Sequence, residues 1–219
     1  MKPSLFAHPF ASYCQKVLIA LYENGTDFTY RKFGPEDPTA MNELAELWPL
    51  KKFPVLLDEG RTYVESSVII EHLAIRHPGA IQLIPKDPQG ALEIRMMDRF
   101  FDNYVMTPMQ KIVADFIRAK TDRDPLGVAE ARSLLDSAYG WLNGVLATRS
   151  WSGGADFSLS DCAAAPSLFY SDWVHEIRDE FPRVRAFRAR LLARPSVARA
   201  IDEARPYRPL FPPGAPDRD

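Results

Sequence analysis

The hydrophobic period of this chain changes once, between His77 and Pro88, and that change constrains the fold more than any single motif. Before it, apolar residues come in short runs of strand formers alternating with helical spacing. After it, only the helical period remains.

Lys2 to Ala7 reads as a strand, broken by His8-Pro9-Phe10. Val17, Leu18, Ala20, Leu21 and Tyr22 then recur at helical spacing, with Ser12 where an N-cap belongs and Gly25 as a stop. Phe28 to Phe33 alternates and is a second strand. Strand, helix, strand in this order makes a parallel pair with a right-handed crossover. Met41 to Trp48 is a short helix, and Phe53 to Asp58 a strand opened by Pro54. A tight turn, Asp58-Glu59-Gly60-Arg61, leads into a return strand over Thr62 to Glu65. Ser66 is expected to cap a helix through Val68, Ile69, His72, Leu73 and Ile75.

His77 to Pro88 is a linker rich in Pro and Gly. Beyond it, Ala91 to Lys120 reads as one long helix with an internal Pro108, and Pro125 to Leu146 as another. Ser158-Leu159-Ser160-Asp161 reads as a capping box with Asp where Glu is usual. It opens a helix running to Ile177, and Arg183–Ala193 and Ser196–Ala204 follow. The expected class is α/β plus all-α. An α/β domain spans 1–78, an all-helical domain 88–205, and an irregular Pro-rich tail 206–219.

At roughly 150 residues per domain, 219 residues allow one large or two small domains. Lys+Arg 27 against Asp+Glu 29 gives a net charge of -2, which excludes a bulk field for nucleic acid or an anionic membrane. No apolar run approaches the roughly 20 residues of a membrane-spanning helix, and the residues after Met1 lack a leader's apolar core. Two cysteines make no disulfide framework. Four scattered histidines, with His72 and His77 five apart rather than four, point to no metal. The expectation is a soluble, cytoplasmic chain.

Three constellations can carry chemistry. The loop from His8 to Lys16 places Ser12, Tyr13 and Cys14 at a helix N-terminus, where free N–H groups favour a thiolate by about 0.3–1 kcal/mol. A hydroxyl there can donate to a bound thiolate, or Cys14 can itself be activated. The bland readings are a plain cap and a small buried thiol. In Lys51-Lys52-Phe53-Pro54-Val55, a cis bond before Pro54 would turn the Phe53 backbone outward to meet a peptide-like ligand. The bland reading is an edge proline. In Glu65-Ser66-Ser67, a hydroxyl and helix N–H groups can hold a ligand carboxylate while Glu65 takes an amine. The bland reading is again a cap. Trp141, Trp151 and Trp173 are expected in the core.

These constellations, in this order and ahead of a helical half, resemble a cytosolic glutathione transferase of the bacterial, serine-type kind. The specific piece runs from Phe53-Pro54-Val55-Leu56 through Tyr63-Val64-Glu65-Ser66-Ser67-Val68-Ile69 to His72-Leu73, with Phe and His in place of the family's usual Val and Tyr. The resemblance implies a thioredoxin-like N-terminal domain and a helical-bundle C-terminal domain. It implies glutathione as co-substrate, lying along Phe53 beside Pro54. Glu65 and Ser66 would hold its γ-glutamyl end and Lys51 its glycyl carboxylate. It also implies a homodimer acting on small apolar electrophiles, in a site lined near Tyr104, Met106, Met109 and Phe116. The family's serine falls near Ala11 or Ser12, so the thiol-activating group is Ser12, with Tyr13 and Cys14 behind it. Two other functions compete: a thiol oxidoreductase working through Cys14, and a non-catalytic binding module, which Ala11 favours.

Overall fold

The computed structural model describes residues 2–219; Met1 lies outside them. The N-terminal domain is a four-stranded sheet of β1 (Ser4–Ala7), β2 (Thr29–Lys32), β3 (Val55–Asp58) and β4 (Arg61–Val64), in the order β2-β1-β3-β4. β1 and β2 are parallel, with Ser4 opposite Thr29. β3 runs antiparallel to both β1 and β4. The parallel pair is joined by α1 (Ser12–Glu23), as a βαβ unit requires.

Alternation along β1 sends its side chains to opposite faces. Leu5 and Ala7 join the core under α1 and α3 (Ser66–Arg76). Phe6 joins a smaller cluster with Phe33, Val55 and the buried Ala40 and Leu44 of α2 (Ala40–Leu47). β3 and β4 are connected by Glu59 and Gly60 alone, both at positive φ (+49° and +77°). A two-residue type I′ turn demands this, and it is why a Gly sits there.

The C-terminal domain is helical: α4 (Pro88–Phe100), α5 (Thr107–Ile117), α6 (Pro125–Val145), α7 (Leu159–Val174), α8 (Pro182–Leu192) and α9 (Pro195–Ala204). α7 is the centre of the molecule, with every residue from Leu159 to Trp173 buried. Its start is the expected capping box, formed by Ser158 and Asp161. Asp161 also accepts from the Ser152 N–H at 2.9 Å, which ties the preceding loop to the helix.

Several expectations change. The long helix over Ala91–Lys120 is divided by a π-helical segment at Phe101–Met106. Pro108 has no N–H to offer the Tyr104 carbonyl four residues back, and just before it the Thr107 N–H and its hydroxyl (2.9 Å) both donate to the Asp102 carbonyl, the five-residue step of a π turn. α7 ends at Val174, short of Ile177, because His175 turns extended. Trp141 is 47% exposed and packs on Phe100, so only Trp173 of the three tryptophans is fully in the core. The tail is not irregular throughout. Arg205–Leu210 is a 3₁₀ helix, Phe211 is buried, and Asp219 pairs with Arg208 at 2.7 Å. The helix N-caps are Ala11 and Glu65, one residue before the expected Ser12 and Ser66.

The two domains are joined by a buried charge cluster. Lys16 of α1, 1% exposed, meets Asp98 at 2.6 Å and Asp102 at 2.8 Å. Its ammonium also donates to the Ser67 hydroxyl of α3 at 2.9 Å. Arg99 closes the cluster against Asp98 and Asp102, both at 2.6 Å. Removing one cation leaves buried carboxylates short of charge. Lys16→Met is therefore expected to lower stability by about 3–5 kcal/mol in urea unfolding. Adding Asp98→Asn and Asp102→Asn to that variant should restore most of the loss.

Candidate active site

A cleft of about 840 Å³ opens between the domains. Its N-terminal wall carries Ser12 and Tyr13 from α1, Lys51, Phe53 and Pro54 from the entry to β3, and Glu65 and Ser66 from the start of α3. Seven of the eight residues singled out in the sequence thus line one cavity. A larger open groove of about 1030 Å³, between α1, β2 and α9, contains none of them.

The local structure explains the convergence. α1 begins after Ala11, which has no side chain to cap its first turn. α3 begins after Glu65, whose side chain makes no capping bond either. By contrast, α4 and α6 are capped by Asp87 and Asp124, at 2.6 and 2.8 Å from the Gly90 and Gly127 N–H groups. Two helix N-termini with uncapped first turns therefore face one cleft, and each favours a negative group. Ser12 and Ser66 are the first helical residues, so neither hydroxyl serves as the cap.

The Phe53–Pro54 peptide bond is cis, and Phe53 precedes β3 rather than joining its ladder. Lys51 (φ +53°) and Glu65 (φ +68°) sit in the left-handed region that costs a non-glycine residue of order 1 kcal/mol or more. Both line the cleft, where such strain is held by the surrounding fold for a purpose.

The loop ahead of α1 is fixed from the other domain. The Gln15 side chain, buried, donates to the Pro9 carbonyl at 2.9 Å and to the Tyr170 hydroxyl at 3.0 Å. Tyr170, on α7, in turn donates to the Phe10 carbonyl at 2.9 Å. Tyr13 is half-buried. Burial, and then the charge of Asp102, push its phenol up to about 12, so it stays protonated and can only donate or accept as a neutral group. Burial likewise lifts the Asp102 carboxyl above its usual range, against the pull of Lys16.

Cys14 is the exception. It is fully buried and outside the cleft, and burial pushes its thiol up to about 12. The α-helical rotation that turns Ser12 and Tyr13 to the cavity turns Cys14 into the core. The far wall also differs from expectation. Of Tyr104, Met106, Met109 and Phe116, only Met109 lines the cleft, with Gln110, Val113 and Ile117 of α5. Sequence reasoning missed Arg99, Asp102 and Asn103, and the tail residues Leu210, Phe211 and Pro212. The signal for the first group was present: two acids four apart, Asp98 and Asp102, among the apolar residues of a core helix.

Two histidines that are scattered in the sequence are brought together. His72 and His77 meet at Asp58, at 2.8 and 2.7 Å from its Oδ2. Helical spacing does not govern the pair, because His77 lies past the end of α3.

The sheet unit, the helical bundle and the cis-proline cleft between them define a thioredoxin-like two-domain class. The model of the glutathione S-transferase N-terminal domain matches residues 5–80, and that of the C-terminal domain matches residues 125–190. The chain belongs to the glutathione S-transferase family. It is 27% identical over 211 residues to glutathione S-transferase U25 of Arabidopsis thaliana, covering 92% of this chain and 86% of the relative. It is 28% identical over 169 residues to a stringent starvation protein A homolog of Coxiella burnetii, covering 76% and 74%. Among solved structures, a glutathione S-transferase of Methylobacterium radiotolerans in complex with glutathione sulfonate is 28% identical, with TM-score 0.78 over 92% of this chain and 95% of that one. One from Methylobacillus flagellatus with glutathione bound shares the fold at TM-score 0.81 and 24% identity, over 91% and 98%.

With the Cys14 thiol near 12, about one molecule in 10⁴ is thiolate at pH 8. Raising the pH toward 12 increases that fraction, but burial still excludes the reagent. Iodoacetamide at pH 8 is expected to leave both cysteines unmodified in the folded chain and to label both in urea, read by intact mass. Rapid labelling of Cys14 in the folded chain would return the oxidoreductase reading.

Proposed function

We propose that this chain binds glutathione in the interdomain cleft and activates its thiol for attack on small apolar electrophiles. The observation that supports this best is the meeting of two uncapped helix N-termini and Phe53-Pro54 in one cavity. In this reading Glu65 takes the γ-glutamyl amine, and Ser66 with the start of α3 takes its carboxylate. Lys51 neutralises the glycyl carboxylate, and the backbone of Phe53 pairs with the cysteinyl residue. The thiol then lies at the start of α1.

A free thiol has a pKa of about 8.5, and lowering it by two units takes about 2.7 kcal/mol. One hydroxyl donating to a charged acceptor supplies about 1.5–3 kcal/mol, and the helix N-terminus adds a few tenths. One donor is enough, and no histidine base is needed. Ser12 is our choice for that donor, with Tyr13 next to it. The electrophile lies against Met109, Val113 and Ile117, the apolar part of the far wall. A second reading, a non-catalytic binding module, is favoured by Ala11 at the position of the family's serine.

Calorimetry with glutathione and conjugation of a chromogenic aryl halide separate the readings. Ser12→Ala is expected to lower kcat/KM by about 10²-fold and raise the pH at which thiolate absorbance appears in the complex. Tyr13→Phe should change both much less. Ser66→Ala with Glu65→Gln should raise KM for glutathione and leave kcat nearly unchanged, since these groups sit far from the sulfur. Binding without conjugation would favour the module, and no binding would end the proposal.

A homodimer belongs to the same reading. On α4, Ile94 and Met97 are buried while Leu92 and Met96 are 58% and 48% exposed, so the helix has a second apolar face. Light scattering at micromolar concentration is expected to give twice the chain mass, and a monomer would refute it.

A further inference from the structure

At the end of β3 farthest from Pro54, three metal-ligating side chains converge that the glutathione site does not use. Asp58 closes β3, His72 lies on α3, and His77 follows the end of α3. One ligand atom from each can be chosen so that all three lie within 4.8 Å of one another. The Asp58 side chain is 1% exposed, His72 11% and His77 24%, so the carboxylate is buried and the imidazoles reach the surface.

The hydrogen bonding of the cluster is lopsided. Asp58 Oδ2 meets both imidazole Nε2 atoms, at 2.8 and 2.7 Å, while Oδ1 is buried with no partner among the described residues. An unpartnered oxygen on a buried carboxylate is costly, and a bound ion or a water satisfies it. The ring of Tyr63 stacks on His72 with centroids 3.7 Å apart, which fixes the orientation of that imidazole. The nearby Arg76 pairs with Glu59 at the surface, 2.8 Å away, and not with Asp58.

We propose that Asp58, His72 and His77 bind one divalent transition-metal ion of the zinc class. Two neutral imidazoles and a carboxylate are borderline donors that suit Zn²⁺, Co²⁺, Ni²⁺ or Cu²⁺. Three donors are too few, and too rich in nitrogen, for Ca²⁺ or Mg²⁺. Bonds of about 2.0–2.2 Å in a tetrahedral shell place ligand atoms about 3.3 Å apart. Each N···O pair must therefore open by about half an ångström, which rotation of the part-exposed His77 beyond the helix end allows. Water takes the fourth position. The ion ties the end of β3 to the end of α3, and its ligands include none of the residues of the proposed transferase site.

Zinc chloride is titrated into the tag-free full chain after chelator treatment and dialysis, with magnesium chloride as control. The expected result is one zinc per chain by calorimetry, a raised thermal midpoint, and no response to magnesium. Cobalt(II) should develop the intense visible bands of a tetrahedral site. His77→Gln should weaken zinc binding by more than the roughly 10–100-fold that loss of an outer-shell partner costs, and His72→Gln likewise. His77 is the more exposed ligand, so its variant keeps the test usable if His72→Gln unfolds; circular dichroism reports which. Zinc binding of unchanged affinity in folded His77→Gln, or no saturable binding by the wild type, overturns the proposal. The cluster is then a hydrogen-bonded triad alone.

Discussion

The molecule is organised around three buried charges, Lys16, Asp98 and Asp102, closed at the cleft by the half-exposed Arg99. Lys16, Asp98, Asp102 and Arg99 balance two against two, and the Ser67 hydroxyl bridges Lys16 and Asp98 at 2.9 and 2.8 Å. Taking such groups out of water costs several kcal/mol per ion, which only close pairing offsets. The pairing is possible in one relative placement of α1, α3 and α4. The charges therefore add little net stability but make other dockings of the two domains expensive. Apolar contact alone would tolerate sliding; the α1–α7 and α4–α7 packing has the bulk, and the charges have the register.

That register decides where the cleft is and what faces it. Lys16 lies about one turn, and Ser67 one residue, past a helix start, at Ser12 and Ser66. Pinning them to α4 pins both N-termini at a set separation, while Gln15 and Tyr170 hold the loop that enters α1. The free N–H groups and the two hydroxyls are left for a ligand because Ala11 cannot cap and Glu65 turns away at positive φ. The polarity of the cavity is thus a consequence of backbone geometry first and of side chains second.

This explains what the sequence could be made to say. The βαβ–α–ββα order was legible because period and turn residues act locally, as in Glu59-Gly60. The capping box at Ser158 and Asp161 was legible for the same reason. Caps placed at Ser12 and Ser66 fell one residue late, since Ala11 and Glu65 are poor cap residues by propensity and are held there by tertiary contacts. The π segment was hidden because Pro108 can break, kink or re-register a helix, and only packing chooses among these. For Cys14 the bland reading, a small buried thiol, is the one the fold adopts, and sequence left it open because a single helical step of about 100° separates a cleft residue from a core one. The wall formed by Asn103 and the tail from Leu210 to Pro212 depends on contacts across more than a hundred residues, which no local pattern encodes.

The unit formed by β3, β4 and α3 carries different chemistry at its two ends. At one end, Pro54, Glu65 and Ser66 face the cleft and suit an anionic, peptide-like ligand. At the other, Asp58, His72 and His77 meet at the surface. The hairpin has only four residues in each strand, and α3 has eleven, so the two ends are joined by short, well-hydrogen-bonded spans. α3 cannot shift along its axis without moving both. A change that orders its C-terminal end therefore also reduces the motion of Ser66 and Glu65 at its start. Glu65 is already strained, so its position is the more sensitive to such ordering. The cleft and the histidine cluster are separate in chemistry, and the helix between them makes them mechanically one element.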